Sequence, residues 1–151
     1  MAPLLPLLRR RYGRIAREVL APVYEVLRVG RETCGGDLDK LLIVLAVGMR
    51  TAEHKDIGGY DLDAVLSGQV ETYPSLSTNV RSVADSTGIP KESVRRKVQA
   101  LVEAGWIVRH GKTLSLAPYA SRMLTDFREQ VLQMVVRNHQ TVSSMLPPQE
   151  G

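Results

Sequence analysis

The sequence contains a single cysteine, Cys34, among its 151 residues. One thiol cannot form an internal disulfide, and without a CxxC pair the chain has no cysteine-based zinc site. The histidines His54, His110 and His139 are widely spaced, and His54 with Asp56 offers only two weak ligands in a turn. We therefore expect no disulfide scaffold and no metal, and a reducing, cytoplasmic location.

Long apolar runs are also missing. The longest, residues 41–49, is far shorter than the roughly 20 residues that a membrane span needs, and it predicts a buried helix. Near residue 1 the apolar residues precede the arginines, which reverses the order of a signal peptide. We expect neither export nor membrane insertion.

Aromatic residues make up only 5% of the chain, whereas 44% is hydrophobic and 24% is charged. This composition is typical of a soluble, helix-rich globular protein, and the length allows one compact domain with a core. No nucleophile–base pair, metal cluster or phosphate-cradling loop occurs with a recognisable spacing. The sequence therefore predicts a protein that is not an enzyme and needs no cofactor.

The net charge of +4 is unevenly distributed. Residues 1–31 hold 7 basic against 2 acidic residues, residues 32–76 hold 3 against 8, residues 77–118 hold 7 against 3, and the remainder is balanced at 3 against 3. Two basic surfaces separated by an acidic stretch are typical of proteins that bind phosphate backbones. Solvated helix faces produce the same pattern, so charge alone leaves both interpretations open.

Helical periodicity dominates the first half of the chain. Apolar residues recur at three- and four-residue steps over residues 9–29, and Pro22 is expected to kink this helix or to divide it in two. Asp37 is expected to cap a helix over residues 38–50. Residues 51–75 predict a turn-rich connection with one short helix near residues 62–66.

After Pro118, apolar residues again recur at three- and four-residue intervals, to about residue 142. This pattern predicts one long carboxyl-terminal helix and then a flexible tail. A helix of that length near a chain end is expected to pair with a second subunit. The alternative is that it packs on its own domain.

The most informative segment is residues 76–108. Val80, Val83 and Ala84 predict a short helix whose inner face ends in a small residue. Gly88 permits the left-handed backbone that ends this helix, and Ile89 is expected to enter the core as the chain turns.

A second helix is predicted from about Pro90 to Ala104, because proline suits the first position of a helix. On helical spacing the apolar residues at positions 94, 98, 101 and 102 face inward, and Gly105 ends the helix. The exposed and flanking positions hold most of the cations of this segment. These positions are Lys91, Glu92, Ser93, Arg95, Arg96 and Lys97.

Two short strands around a glycine turn are predicted next. Residues 106–109 and 113–116 flank the sequence His110-Gly111-Lys112, which suits a tight hairpin turn. With Arg109, this turn forms a basic hairpin beside the second helix.

Helix, turn, second helix, glycine and basic hairpin occur in this order in winged helix-turn-helix domains. Residues 76–118 resemble the DNA-binding domains of bacterial transcriptional regulators of the GntR-like and MarR-like kinds, a resemblance that covers about 40 residues. It implies that the second helix reads DNA in the major groove and that the wing, about Arg109–Thr113, contacts the backbone or the minor groove. The fold expected for the whole chain is mainly α with a small β-wing. Residues 1–75 are expected to form amino-terminal helices that pack on the core and can also dimerise, and residues 119–151 the carboxyl-terminal helix.

On this interpretation the chain is a dimeric transcriptional regulator that binds a two-fold symmetric site on double-stranded DNA. The residues expected to face base edges are Lys91, Glu92, Ser93 and Arg95. Those expected to position the DNA backbone are Asn79, Arg81, Arg96, Lys97, Arg109, His110 and Lys112. The alternative is a winged-helix adaptor that docks on another protein and does not bind DNA. No large effector-binding domain is recognisable, so a small-molecule effector stays open.

Two further features stay open. The cluster of Arg9, Arg10, Arg11, Arg14 and Arg17 can be an arm on DNA phosphates or a solvated helix face. Membrane attachment ranks below both, because two prolines interrupt an amphipathic helix over the first residues. The thiol of Cys34 can be a redox sensor, if a nearby helix start lowers its pKa, or the more common inert thiol.

Overall fold

The computed structural model describes residues 3–67 and 76–148. They form a mainly helical protein with a small two-stranded antiparallel sheet. The described residues of Met1–Val29 and Asp126–Gly151 make one compact unit, and those of Gly30–Thr125 make another. The elements are α1 (Leu4–Arg10), α2 (Tyr12–Thr33), α3 (Leu38–Ala52), a 3-10 helix (Ile57–Gly59), α4 (Leu62–Leu66), α5 (Val80–Thr87), α6 (Lys91–Glu103), β1 (Ile107–His110), β2 (Thr113–Leu116), α7 (Pro118–Met123) and α8 (Thr125–Ser143).

Helix α1 forms in spite of its proline. Pro6 is its third residue, and an amide hydrogen in the first turn of a helix has no intrahelical acceptor to lose. The expectation that prolines interrupt a helix here is therefore wrong for residues 4–10. No residue of α1 is buried, and the five arginines at positions 9–17 are all exposed.

Helix α2 continues through Pro22, so the predicted division into two helices is wrong. Proline removes only one backbone hydrogen bond from the ladder, and the bonds on either side hold the helix together. Pro22 is also buried, which gives its ring a packing role.

The carboxyl-terminal helical segment is divided, whereas the sequence predicted one long helix after Pro118. Helix α7 ends before Leu124, and α8 begins at Thr125, whose hydroxyl donates to the carbonyl of Arg122 at 2.6 Å. No proline or glycine marks this boundary. The last three residues of the predicted flexible tail lie outside the described residues.

Helix α3 is the centre of the larger unit. Its predicted cap is confirmed, because Oδ1 of Asp37 accepts a hydrogen bond from the backbone N–H of Lys40 at 3.1 Å. The helix packs against β2, α5 and α6. Four of its side chains are at most 2% exposed, namely Leu41, Ile43, Val44 and Val47. Burying a side chain of this size contributes about 1.5–3 kcal/mol, so α3 supplies much of the core.

The connection after α3 agrees in part with the prediction. Helix α4 has the predicted bounds, and Oδ1 of Asp61 caps it by accepting from the N–H of Ala64 at 2.8 Å. A 3-10 helix, which the sequence did not predict, precedes it. The rest of the predicted connection, residues 68–75, lies outside the described residues.

Helices α5 and α6 are joined by the predicted tight turn. Gly88 has φ 74° and ψ 3°, and its N–H donates to the carbonyl of Ala84 at 2.9 Å, which ends α5 in the left-handed conformation. Ile89 is only 7% exposed, so its predicted entry into the core is confirmed. Pro90 takes the capping position of α6 and Lys91 the first helical position, one residue later than predicted.

Helix α6 ends at the predicted glycine. Gly105 has φ 79°, its N–H donates to the carbonyl of Val102 at 3.0 Å, and the N–H of Trp106 donates to the carbonyl of Leu101 at 2.9 Å. These two bonds form a Schellman motif, which satisfies carbonyls that the end of a helix leaves unpaired. The chain is thereby turned directly into β1.

Strands β1 and β2 form the predicted hairpin, with His110 paired to Thr113 across a two-residue turn. Gly111 has φ 60° and Lys112 a negative φ, the sign pattern of a type II′ turn, which matches the twist of paired strands. On its other edge β2 meets the residues before α5, since the N–H of Leu114 donates to the carbonyl of Thr78 at 2.9 Å. The hairpin and the start of α5 are therefore held together.

Candidate nucleic-acid interface

An open groove of about 800 Å³ lies between the exposed face of α6 and strand β1. Its lining residues come from about three consecutive turns of the helix and one position of the strand. They are Glu92, Ser93, Arg95, Arg96, Gln99, Ala100, Glu103 and Arg109. Five of the predicted site residues, including three arginines, thus share one surface.

The helical period explains which residues of α6 reach this groove. Val94, Val98 and Leu101 are 0%, 0% and 4% exposed and form the buried side. Positions 92, 96, 99 and 103 recur at four, three and four residues and lie opposite that side. Gln99 and Glu103 were missed by the sequence prediction, although the same period would have placed them beside Arg96.

Glu92 and Arg95 form an exposed ion pair within the groove. Nη2 and Nε of Arg95 donate to Oε2 of Glu92 at 2.9 and 3.2 Å. The hydrogen bond and charge of Arg95 lower the pKa of Glu92, and those of Glu92 raise the pKa of Arg95. Because water solvates both groups, the pair contributes little stability and can exchange partners readily.

Arg96 and Arg109 present cations to the groove from two different elements. In residues 3–67 and 76–148, the structure gives neither guanidinium a hydrogen bond or an ion pair. Both residues are exposed. Their positive charge is therefore available to an anion that enters the groove.

The remaining predicted contacts lie around the groove rather than in its lining. Lys91 is exposed at the start of α6, and His110 and Lys112 are exposed at the hairpin turn. Arg81 is exposed in the first turn of α5. The side-chain oxygen of Asn79 is already used, because it accepts from the N–H of Ser82 at 2.9 Å and caps α5.

Lys97 has a different role from the one predicted. Its ammonium forms an ion pair with the carboxylate of Asp37, and its side chain is only 14% exposed. The predicted contact of Lys97 with phosphate is therefore replaced by a link between α6 and the start of α3. This link joins residues 60 positions apart, so no local pattern in the sequence reveals it.

Asp37 is held in its charged form by two partners. Burial by itself would raise the pKa of its carboxyl, but the hydrogen bonds from the Lys97 side chain and the Lys40 N–H outweigh burial and lower the pKa. A group whose pKa is lowered by folding stabilises the protein above its unfolded value, about 3.9. This stabilisation is lost as the pH falls through the lower, folded pKa.

Asp37→Ala is expected to lower the free energy of unfolding by about 1–3 kcal/mol at pH 7, because it removes a helix cap and leaves the ammonium of Lys97 half-buried without its partner. Urea unfolding at pH 7 and at steps from pH 5 to 2 measures this. The difference between wild type and variant should shrink at the acid end. Lys97→Met is the matched control, since it removes the ion pair and keeps the cap, and it should cost less. Equal losses in the two variants would contradict the capping role.

The thiol of Cys34 is buried. Burial raises its pKa, the charge of Asp37 raises it further, and the charge of Lys40 opposes them. A redox sensor needs an accessible thiolate, so the structure contradicts the lowered pKa on which that alternative depended.

Within residues 3–67 and 76–148, no three histidine, cysteine or acidic side chains come close enough to hold a metal ion. Over the same residues, no helix is both long and apolar enough to cross a bilayer.

Comparisons of the chain with protein-family models, with curated proteins and with solved structures found no match. The basis for a function is therefore the geometry and charge of the residues described above.

Proposed function

We propose that this chain binds double-stranded DNA through a winged helix-turn-helix formed by α3, α5, α6 and the β1–β2 hairpin, and that it acts as a transcriptional regulator on the cytoplasmic nucleoid. The observation that carries the proposal is the groove in which Arg95 and Arg96 of α6 and Arg109 of β1 share one surface. Basic side chains from a helix and an adjacent hairpin suit a ligand that presents rows of phosphates.

Helix α6 is suited to be the recognition helix. Its 13 residues give a length of about 20 Å. A helix of ordinary diameter fits the major groove of B-DNA, which is about 12 Å wide. In the first turn of α6 the side chains of Lys91 and Glu92 are exposed and that of Ser93 is half-buried, so these three residues are proposed to approach base edges.

Arg95 is proposed to read a base. A guanidinium can donate two hydrogen bonds to O6 and N7 of guanine, and a carboxylate such as that of Glu92 can accept from N4 of cytosine. Both groups must first leave their mutual ion pair. Since the pair is exposed to water, this exchange costs little.

The phosphate contacts are proposed for cations that have no partner in the described structure. On α6 and β1 these are Arg96 and Arg109, and the hairpin turn adds Lys112. Arg81, in the first turn of α5, provides a fourth. Each neutralised phosphate releases counterions, so four contacts predict a slope of about −4 for log K against log salt per chain.

Fluorescence anisotropy of a labelled duplex of random sequence at 50 and 200 mM salt tests the proposal. We expect affinity to fall about 100-fold per bound chain over that interval, as four phosphate contacts require. Circular dichroism at both salt concentrations checks that the protein stays folded. No binding at low salt by the folded protein, or a slope near zero, would reject DNA binding and favour the protein-docking alternative.

A further inference from the structure

Helix α2 carries an apolar stripe that the other described residues of its own compact unit leave exposed. Its members recur at four, four, three and four residues along one side of the helix. They are Tyr12, Ala16, Leu20, Val23 and Leu27. The four larger ones are 50%, 54%, 42% and 49% exposed. Between Tyr12 and Leu27 no charged residue lies on this side of the helical period, so the stripe is continuous up to Arg31, which lies four residues after Leu27.

The smaller unit has almost no core of its own. Among its described residues only Ile15, Pro22 and Phe127 are buried. Its two long helices, α2 and α8, make few close backbone contacts with each other. A long helix in water takes most of its stability from packing an apolar face, and the stripe of α2 offers a second such face to a partner surface.

We propose that α2 of a second copy of this chain packs antiparallel across the stripe and makes the protein a homodimer. A two-fold axis near Leu20 sets Tyr12 of one copy against Leu27 of the other. The same axis sets Ala16 against Val23, a small residue against a larger one. The stripe is thus self-complementary, as a two-fold interface must be.

Charge selects the antiparallel arrangement. The arginines at positions 9–17 lie at the amino end of α2 and before it. A parallel pair would place the two clusters side by side, where like charges repel. An antiparallel pair moves them to opposite ends and sets each beside the carboxyl half of the partner helix, where Glu25 and Glu32 balance Arg28 and Arg31.

The exposed area is also of the right size. The half-exposed side chains of the stripe present on the order of 400 Å² of apolar surface, about the size of the largest apolar patch on a typical monomer. Two copies together would bury on the order of 800 Å² of the stripe. Residues beside the stripe, such as Tyr24, which is 64% exposed, bring the total toward the roughly 1,200 Å² that a specific interface buries. The inference depends on this stripe and is independent of DNA binding.

Sedimentation equilibrium of the full chain at micromolar concentration without DNA tests the dimer. We expect a mass twice the 16.7 kDa of one chain. The double variant Leu20→Glu, Leu27→Glu should raise the dimer dissociation constant at least about 100-fold, because it places charges in the centre of the interface. Leu132→Glu with Val136→Glu, on side chains of α8 that are 46% and 55% exposed, adds the same charge and should leave the dimer intact.

Cross-linking tests the dimer even if the double variant Leu20→Glu, Leu27→Glu does not fold. In a Cys34→Ala background, Leu20→Cys treated with diamide should form a disulfide-linked dimer, because residues near the two-fold axis approach within bonding reach. Leu132→Cys should not. A monomeric wild type, a dimer that survives Leu20→Glu with Leu27→Glu, or absence of the Leu20→Cys cross-link would overturn the proposal. None of these results would affect the salt-dependent binding of duplex.

Discussion

Replacing Arg95 and Arg96 together by alanine is expected to weaken binding of duplex DNA about 100-fold at 50 mM salt, since one proposed base contact and one phosphate contact are lost. The salt dependence should also become shallower by about one unit of slope for the lost phosphate contact. Both residues are exposed, so the variant should keep its fold. Anisotropy titration with circular dichroism measures both effects.

The control for net charge is Arg122→Ala with Arg137→Ala, which removes the same charge from α7 and α8. If the groove is the interface, this control should bind duplex nearly as well as wild type. Glu92→Gln should change the affinity in the direction opposite to the Arg95 and Arg96 double variant. It should tighten binding of duplex several-fold, because it removes a carboxylate from the groove and releases Arg95 from its ion pair. Equal losses in the two arginine variants would show that binding follows net charge, and would reject the groove as the interface.

Leu41→Ala is expected to lower the free energy of unfolding by about 2–5 kcal/mol, because it leaves a cavity where α3 meets the core. The side chain of Leu41 is 2% exposed, whereas that of its neighbour Leu42 is 46% exposed. Leu42→Ala is therefore a matched control with the same chemical change on the same helix, and it should stay within about 0.5 kcal/mol of wild type.

Urea unfolding followed by circular dichroism compares the two leucine variants. A loss of this size is a large fraction of the roughly 5–15 kcal/mol that stabilises a domain, so Leu41→Ala should unfold at a clearly lower urea concentration. If both variants unfolded together, α3 would not be the centre of the core.

The segments predicted well from the sequence are those with short-range causes. The turn between α5 and α6 follows from Gly88 and Ile89, and the end of α6 follows from Gly105. A glycine with positive φ is favoured by its own backbone whatever surrounds it. Likewise Asp37 lies three residues from the N–H that it caps.

Other features have causes that the local sequence does not contain. The boundary between α7 and α8 at Leu124 has no breaking residue, and α2 continues through a proline that normally ends a helix. At Pro22 the hydrogen bonds on either side hold the helix together, and the local preference that they outweigh amounts to only a few kcal/mol. The predicted division of α2 and the single long helix predicted after Pro118 were therefore both wrong, and the kink at Pro22, the other alternative, stays a prediction.

The features of the candidate site also fall into two groups, those that follow from the local sequence and those that depend on tertiary packing. By itself the sequence determined the helical period of α6, the cations on its exposed side and the hairpin that carries Arg109, because periodicity and turn chemistry act over a few residues. Only the tertiary structure decided that Arg109 shares a groove with Arg95 and Arg96, and that Lys97 pairs with Asp37 instead. Those pairings depend on how separate elements pack in three dimensions, which the spacing of residues along the chain does not specify.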